Sequence, residues 1–172
     1  MIALKKVLVA TDFGPASESA LSYGRALARS FDAALHVLHV TENVFARAMD
    51  GYGYAAIPPQ VQEDLERAGR RQTEELLDDE DRRELRATTA TVTSNSPADA
   101  IVGYARRHGI DLIVMGTHGR GPISHLLLGN VAERVVRMSP CPVLTVRHPE
   151  HEFVFPDALV AVSHQDPSRP PK

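Results

Sequence analysis

Apolar positions along this chain fall into two alternating patterns. Short runs rich in Val, Leu, Ile or Thr are typical of strands buried in a parallel sheet, and they lie at residues 7–10, 35–40, 87–93, 111–115 and 142–146. The segments between them have the apolar period or the terminal residues of helices, at 16–31, 60–85, 97–107 and 129–138. This alternation predicts an α/β fold, a three-layer open parallel five-stranded sheet with helices on both faces.

Local signals add expectations about individual helices. Ser17 is the residue type that favours an N-cap, so it is predicted to begin the first helix. The apolar side of the 60–85 helix could come from Val61, Leu65, Ala68, Leu76 and Leu77. The acidic run at 78–81 is expected to be a solvated helix end.

Composition narrows the class of protein. The 172 residues carry a net charge of -3, which argues against a dedicated nucleic-acid binder. Cys141 is the one cysteine, so an internal disulfide and a cysteine zinc cluster are both excluded. The sequence has no 18-residue apolar stretch and no visible secretory signal, so we expect a cytoplasmic protein without a membrane span. We predict one domain over residues 1–148 and a peripheral or mobile tail over 149–172.

A glycine-rich loop directly follows the fourth predicted strand. Because ligands of open parallel sheets bind beyond the carboxyl ends of strands, the loop is well placed for a binding site. Its glycines would let backbone N–H groups approach an anion, and the following helix would offer its N-terminus at Asn130. Arg120 is a candidate phosphate partner because its charge is permanent. A tight turn is the alternative reason for any single glycine. The glycines are Gly116, Gly119, Gly121 and Gly129.

The spacing Gly-x2-Gly-x9-Gly, matched by Gly116, Gly119 and Gly129, resembles the nucleotide-binding branch of the universal stress protein family. The likeness covers about residues 3–147. It implies a Rossmann-like fold of the adenine nucleotide alpha hydrolase type and bound ATP or AMP, with Mg²⁺ as a candidate companion ion. The implied nucleotide-binding residues are Ala10, Thr11, Asp12, Val40, Met115, Gly116, Gly119, Arg120, Gly129, Asn130 and Val131.

Within that resemblance, Asp12 is expected to contact the ribose or adenine, Val40 to border the adenine, and Met115 to pack nearby. Asp12 could instead cap the first helix, and the two roles are compatible. The family pattern usually has Ser or Thr after the last glycine, whereas this chain has Asn130. An amide can still donate to a phosphate oxygen, but it lacks the compact hydroxyl.

The resemblance implies a stress-response sensor or regulator with little or no turnover, acting with a regulatory protein that the sequence does not identify. Beside the phosphate loop, the sequence shows no identifiable general base, nucleophile or metal-ligand set. His36 and His39 are predicted on opposite faces of one strand, so they would not form a metal pair. Two alternatives stay open: a universal stress protein that binds no nucleotide and acts through protein contacts, which Asn130 favours, and a slow ATPase or nucleotidyl transferase.

The last predicted strand, Val143 to Val146, suggests an assembly. It is apolar, with no lysine or central proline to blunt an exposed sheet edge. A two-fold axis would let it pair antiparallel with its own copy, and the family resemblance implies the same homodimer. The alternative is a monomer in which the tail covers this edge.

Overall fold

The computed structural model describes residues 3–46, 58–117 and 130–148. Strands and helices alternate, as the apolar pattern predicts. The strands are β1 (Lys6–Thr11), β2 (Ala34–Thr41), β3 (Thr88–Thr93), β4 (Leu112–Gly116) and β5 (Val143–Val146). The helices between them are α1 (Pro15–Phe31), α2 (Pro59–Glu75), α3 (Asp79–Glu84), α4 (Pro97–His108) and α5 (Asn130–Met138).

The five strands form one parallel sheet in the order β3-β2-β1-β4-β5. This confirms the predicted fold class. The chain first builds outward from β1 through β2 to β3, and then crosses to the other side of β1 for β4 and β5. The order therefore reverses between β1 and β4, and the gap beyond their carboxyl ends is the switch point where sheets of this kind take ligands.

Two apolar clusters pack on the two faces of the sheet. On one face, the fully buried Val9 and Val37 pack against residues of α1 such as Ala20. On the other face, Leu8 and Ile113 pack against α4 and α5. Since successive strand residues point to opposite faces, both clusters draw on the same strands, which explains their nearly continuous apolar sequence.

The predicted 60–85 helix is wrong as a single element, because α2 ends at Glu75 and α3 begins after a new cap. Asp78 is the N-cap of α3, and its side chain accepts a hydrogen bond from the Asp81 N–H (2.7 Å). Asp81 is 1% exposed and receives the Arg25 guanidinium of α1, with Nη2 to Oδ2 at 2.6 Å. Arg25 Nη2 also donates to the Leu76 carbonyl in the break (2.6 Å). The acidic run is therefore not simply a solvated end, since this ion pair anchors it to α1.

The buried side of α2 also differs from the prediction. Val61 and Leu65 are 40% and 41% exposed. The helix turns Gln62, Gly69 and Thr73 inward instead. Gln62 is satisfied there because its Oε1 accepts from the Val44 N–H (2.9 Å) and its Nε2 donates to backbone and side-chain oxygens.

The first helix begins earlier than expected. Its N-cap is Gly14, and Pro15 takes the first helical position, where its missing N–H and fixed φ are suited. Ser17 is not the N-cap. It lies in the first turn, 3% exposed, and its hydroxyl donates to the Gly14 carbonyl (2.8 Å).

Among the described residues, the helices include none that is long and apolar enough to cross a membrane. The expected tail at 149–172 lies outside the described residues, and the cytoplasmic location stays a prediction.

Candidate functional site

The candidate site lies at the carboxyl ends of β1 and β4, where the strand order reverses. These two strands pair directly, with Ala10 opposite Met115 in the register. On the other side of β1, Thr11 is the register partner of His39 in β2. The residues that follow β1, beginning with Asp12, therefore lie beside the ends of both neighbouring strands.

The turn after β1 is held by a chain of short-range hydrogen bonds. The Thr11 hydroxyl accepts from the Phe13 N–H (3.0 Å) and donates to Ser17 Oγ (3.1 Å). The Asp12 carboxylate accepts from the Gly14 N–H through Oδ1 (3.0 Å). Each bond spans two residues or closes onto the first turn of α1, so the turn is ordered before any ligand arrives.

Asp12 keeps one carboxylate oxygen available. Its Oδ1 is used by Gly14, whereas Oδ2 has no hydrogen-bond partner within the described residues. Asp12 is half-buried, and Gly14 rather than Asp12 is the N-cap of α1. A carboxylate oxygen held in this way can accept a hydrogen bond from a ligand hydroxyl or amine.

The strand residues of the predicted site are mostly buried. Ala10 is 8% exposed, Thr11 9% and Met115 5%, and the first and last of these belong to the apolar cluster under α4 and α5. Val40 packs against the same cluster and is half-buried. Val40 is therefore more accessible at the carboxyl edge than Ala10, Thr11 and Met115 are.

Gly116 has a packing role that the sequence alone did not indicate. It is the last residue of β4, and a Cβ built there would lie 2.8 Å from Ala16 Cβ and 3.0 Å from the Ala16 carbonyl carbon. Real side chains do not approach this closely, so the glycine lets α1 lie directly against the end of β4. Its predicted phosphate contact stays a prediction beside this structural role.

The helix after the glycine loop begins at Asn130. Asn130 is exposed and Val131 is 36% exposed at the N-terminal end of α5. Because a helix that connects parallel strands runs antiparallel to them, this end is at the carboxyl edge of the sheet. The predicted residues Gly119, Arg120 and Gly129 lie outside the described residues.

The two strand histidines lie on opposite faces, as predicted. The His36 ring faces α4, where its Nδ1 is 3.0 Å from the Tyr104 hydroxyl. Burial, followed by the charges of His108 and Lys6, lowers the pKa of His36 below its usual value. His39 faces α2 at the other end of the strand, beside the candidate site. Within the described ranges, the structure has no group of three or more His, Cys, Asp or Glu side chains that could hold a metal ion.

No local sequence pattern assigns His39 to the site, although the structure places its ring beside Asp12. Its Nδ1 lies 3.0 Å from the Thr11 carbonyl oxygen, and its ring packs on Phe13 with 4.3 Å between centroids. Phe13 itself has a φ of 61°, the left-handed region that non-glycine residues seldom adopt. These contacts depend on the β1–β2 register, which local sequence patterns do not reveal.

A concave surface lies at the opposite end of the sheet from the candidate site. It is an open groove of about 700 Å³ lined by residues that include Lys5, Phe31 and Arg86. Arg86 is already engaged there, with its Nη1 3.2 Å from Asp32 Oδ1. This groove contains none of the residues that the sequence predicted for binding.

Fold and site together define an open, parallel α/β protein with a preorganised carboxylate at its switch point. A model of the universal stress protein family matches residues 3–147. The chain belongs to that family. It is 30% identical over 159 residues to universal stress protein MJ0531 of Methanocaldococcus jannaschii, covering 86% of this chain and 85% of that protein. It is 34% identical over 143 residues to a universal stress protein of Thermus aquaticus, covering 83% and 98%.

Solved structures of the family share the fold. Universal stress protein UspA from Lactobacillus plantarum is similar with a TM-score of 0.66 and 24% identity, over 86% of this chain and all of that chain. A universal stress protein in complex with cAMP is similar with a TM-score of 0.54 and 24% identity, over 84% and 98%. A family member from Archaeoglobus fulgidus in complex with dAMP has a TM-score of 0.55 and 19% identity, over 85% and 99%.

Proposed function

We propose that this protein binds an adenine nucleotide, ATP or AMP, in the crevice beyond the carboxyl ends of β1 and β4. The observation that carries the proposal is the Asp12 carboxylate, which is held by the Gly14 N–H through one oxygen and keeps the other available at the switch point. The structural neighbours in complex with cAMP and dAMP support an adenine nucleotide as the ligand class.

The polar and apolar groups at this edge of the sheet are suited to an adenine nucleotide. Asp12 would accept a hydrogen bond from a ribose hydroxyl, and the half-buried Val40 would lie along the base. Ala10, Thr11 and Met115 would act mainly from within the core, as the floor on which these contacts rest. The exposed N-terminal end of α5, with Asn130 and Val131, would face the phosphates.

The predicted roles of Gly116, Gly119, Gly129 and Arg120 at the phosphates belong to the same proposal. Mg²⁺ would accompany ATP and take its oxygen ligands largely from the phosphates. We infer a sensor or regulator with little or no turnover, located in the cytoplasm and acting through a protein partner of unknown identity. A slow ATPase is the enzymatic alternative, and phosphate release from ATP would measure it.

The first experiment identifies the ligand. The purified protein is denatured, and any released nucleotide is identified by mass spectrometry. Calorimetry with AMP and with Mg-ATP then compares wild type with Asp12→Asn, because asparagine keeps an oxygen for the Gly14 N–H but replaces the other oxygen with a donor. We expect binding roughly tenfold weaker in Asp12→Asn, about 1.4 kcal/mol. Asp64→Asn is the matched control, since Asp64 is exposed on α2.

One feature favours the alternative of a universal stress protein that acts only through protein contacts. Asn130 replaces the Ser or Thr of the nucleotide-binding pattern, and the structure exposes it as the first residue of α5. If wild type releases no nucleotide and gives no heat with AMP or Mg-ATP, this alternative replaces the proposal.

We also propose a homodimer through β5. The strand is at one edge of the sheet, and within the described residues it pairs only with β4. Apolar side chains are exposed on β5 and on the neighbouring α5: Leu144 by 36%, Val136 by 47% and Met138 by 37%. A second copy pairing antiparallel at this edge would cover them and satisfy the edge backbone.

The hydrogen-bond pattern shows which β5 residue tests this edge. The Ile113 N–H donates to the Pro142 carbonyl and the Thr117 N–H to the Val146 carbonyl, so the backbone of even-numbered residues faces β4. The Thr145 N–H therefore points away from the sheet. Thr145→Pro removes that donor and keeps the ladder with β4. We expect light scattering to give twice 18.8 kDa for wild type and 18.8 kDa for Thr145→Pro; a monomeric wild type would reject the dimer.

A further inference from the structure

The turn that presents Asp12 contains a strained residue. Phe13 has a φ of 61°, although it carries a bulky aromatic side chain. A non-glycine residue in this region costs of the order of a kilocalorie or more, and it persists where the surroundings impose it. Any group that holds Phe13 in this conformation also determines where the preceding carboxylate points, because the two residues share a peptide unit.

His39 contacts the chain on both sides of Asp12. Its Nδ1 lies 3.0 Å from the Thr11 carbonyl oxygen, which precedes Asp12. Since a carbonyl oxygen only accepts, the Nδ1 must carry the proton and donate. The His39 ring also packs against the Phe13 ring, which follows Asp12, with centroids 4.3 Å apart and planes at 35°. One imidazole therefore fixes the two neighbours of the carboxylate.

The surroundings of His39 fit this role. The residue is the register partner of Thr11, so the β1–β2 pairing determines the position of the His39 backbone from which the ring extends. On its other side is α2, where a Cβ on Gly69 would come within 3.1 Å of His39 Cδ2. The glycine leaves just enough room for the ring between the helix and the turn.

We propose that His39 is a positioning residue for Asp12. By donating to the Thr11 carbonyl and packing against the Phe13 ring, it holds the left-handed turn that directs the Asp12 carboxylate into the crevice. The inference rests on the proposed function in one respect, namely that Asp12 contacts the nucleotide. The inference adds a specific cause for the position of the carboxylate. That cause, the His39 ring, lies on the sheet face opposite to Ala10 and Met115.

The test separates positioning from simple structural support. His39→Leu removes both contacts, whereas His39→Asn can restore a donor near the former Nδ1. His36→Leu is the matched control, because His36 is on the same strand but faces Tyr104 at the other end. We expect AMP affinity, measured by calorimetry, to fall roughly fivefold to tenfold in His39→Leu, which is up to the full loss expected for Asp12→Asn. It should recover in part in His39→Asn and stay unchanged in His36→Leu.

A double-mutant cycle with Asp12→Asn tests the route of the effect. If His39 acts through the carboxylate, His39→Leu should change the remaining AMP affinity by less than about twofold in the Asp12→Asn background. Equal losses in both backgrounds would overturn the proposal, as would an unchanged affinity in a folded His39→Leu protein.

A second measurement needs no nucleotide. The Gly14 N–H donates to Asp12 Oδ1, so its hydrogen exchange reports whether the turn is formed. We expect exchange at Gly14 to be at least about tenfold faster in His39→Leu and near the wild-type rate in His36→Leu. If wild type bound no AMP, the proposed function would fail, yet unchanged Gly14 exchange in His39→Leu would still reject the positioning role and faster exchange would support it.

Discussion

Substitution of Gly116 by alanine is expected to destabilise the protein through one defined contact. The added Cβ would lie 2.8 Å from Ala16 Cβ and 3.0 Å from the Ala16 carbonyl carbon. Carbon atoms in contact are normally about 3.5–4.0 Å apart, so the helix and the strand must separate by about 0.7 Å or more. Ala16 is only 6% exposed, and half of the clash is with its backbone, so no side-chain rotation can relieve it.

Overpacking of this kind costs about 1–3 kcal/mol. For a chain of this size, 2 kcal/mol corresponds to a Tm lower by about 4–8 °C. Urea unfolding followed by circular dichroism measures the loss directly. The double variant Ala16→Gly/Gly116→Ala removes the closest contact, so it should be more stable than the sum of the two single changes predicts, by about 1 kcal/mol.

The same variant separates the two roles that Gly116 could have. If Gly116→Ala unfolds within about 0.5 kcal/mol of wild type, the close approach of α1 to β4 is not a constraint and the packing argument is refuted. AMP affinity of the folded variant is a separate readout. A weaker affinity with unchanged stability would instead support the backbone contact with phosphate that the glycine spacing suggests.

Three further outcomes are expected. Burial lowers the pKa of His36 below 6.5, so below about pH 6.5 the unfolded chain binds a proton more readily than the folded protein does. The folded protein should therefore lose stability as the pH falls below about 6.5. In His36→Gln the midpoint of urea unfolding should change less with pH over pH 5–7. Arg25→Met should cost about 3 kcal/mol, because it removes the close partner of the Asp81 carboxylate, which is 1% exposed, and leaves only the Arg29 guanidinium at 3.9 Å. Arg71→Met, which breaks an exposed pair, should cost about 0.5 kcal/mol or less. Asn130→Ser should leave AMP affinity in calorimetry unchanged or tighter, and a marked loss would contradict the idea that the amide replaces a hydroxyl.

The fold class could be predicted from the sequence because parallel strands are buried on both faces. Their apolar runs stand out against the mixed segments between them, and the observed strand bounds differ from the predicted ones by at most one residue. The edge position of β5 is expected for a different reason, namely that it is the last predicted strand, and within the described residues it does pair only with β4. The apolar runs are local features of the chain, so the sequence pattern alone is enough to locate the strands.

The end of α2 could not be predicted, because its cause is tertiary. Arg25 on α1 binds both the Leu76 carbonyl and the buried Asp81, and this pair draws the acidic run into a separate helix. The prediction of which face of α2 is buried was wrong for a related reason. Gln62 is buried because backbone groups after β2 are there to satisfy its amide, which no apolar period can signal.

The candidate site also has features that the sequence predicts and features that only the structure reveals. The family resemblance implies a nucleotide contact for Asp12, and the structure places Asp12 directly after β1, at the switch point. The glycine spacing predicts phosphate contacts, whereas the close packing of Gly116 against Ala16 is visible only in the structure. Gly119, Arg120 and Gly129 lie outside the described residues, so their contacts stay predictions.

The contacts of His39 explain why the polar inward face of α2 matters beyond its own packing. A bulky apolar residue in place of Gly69 would occupy the space of the imidazole, because even a Cβ there would reach 3.1 Å from His39 Cδ2. Displacing the imidazole would remove the support of the strained Phe13 turn. The glycine on α2, the histidine on β2 and the left-handed residue after β1 are therefore constraints on one another. The position of the Asp12 carboxylate therefore depends on three separate elements as well as on the hydrogen bonds within its own turn.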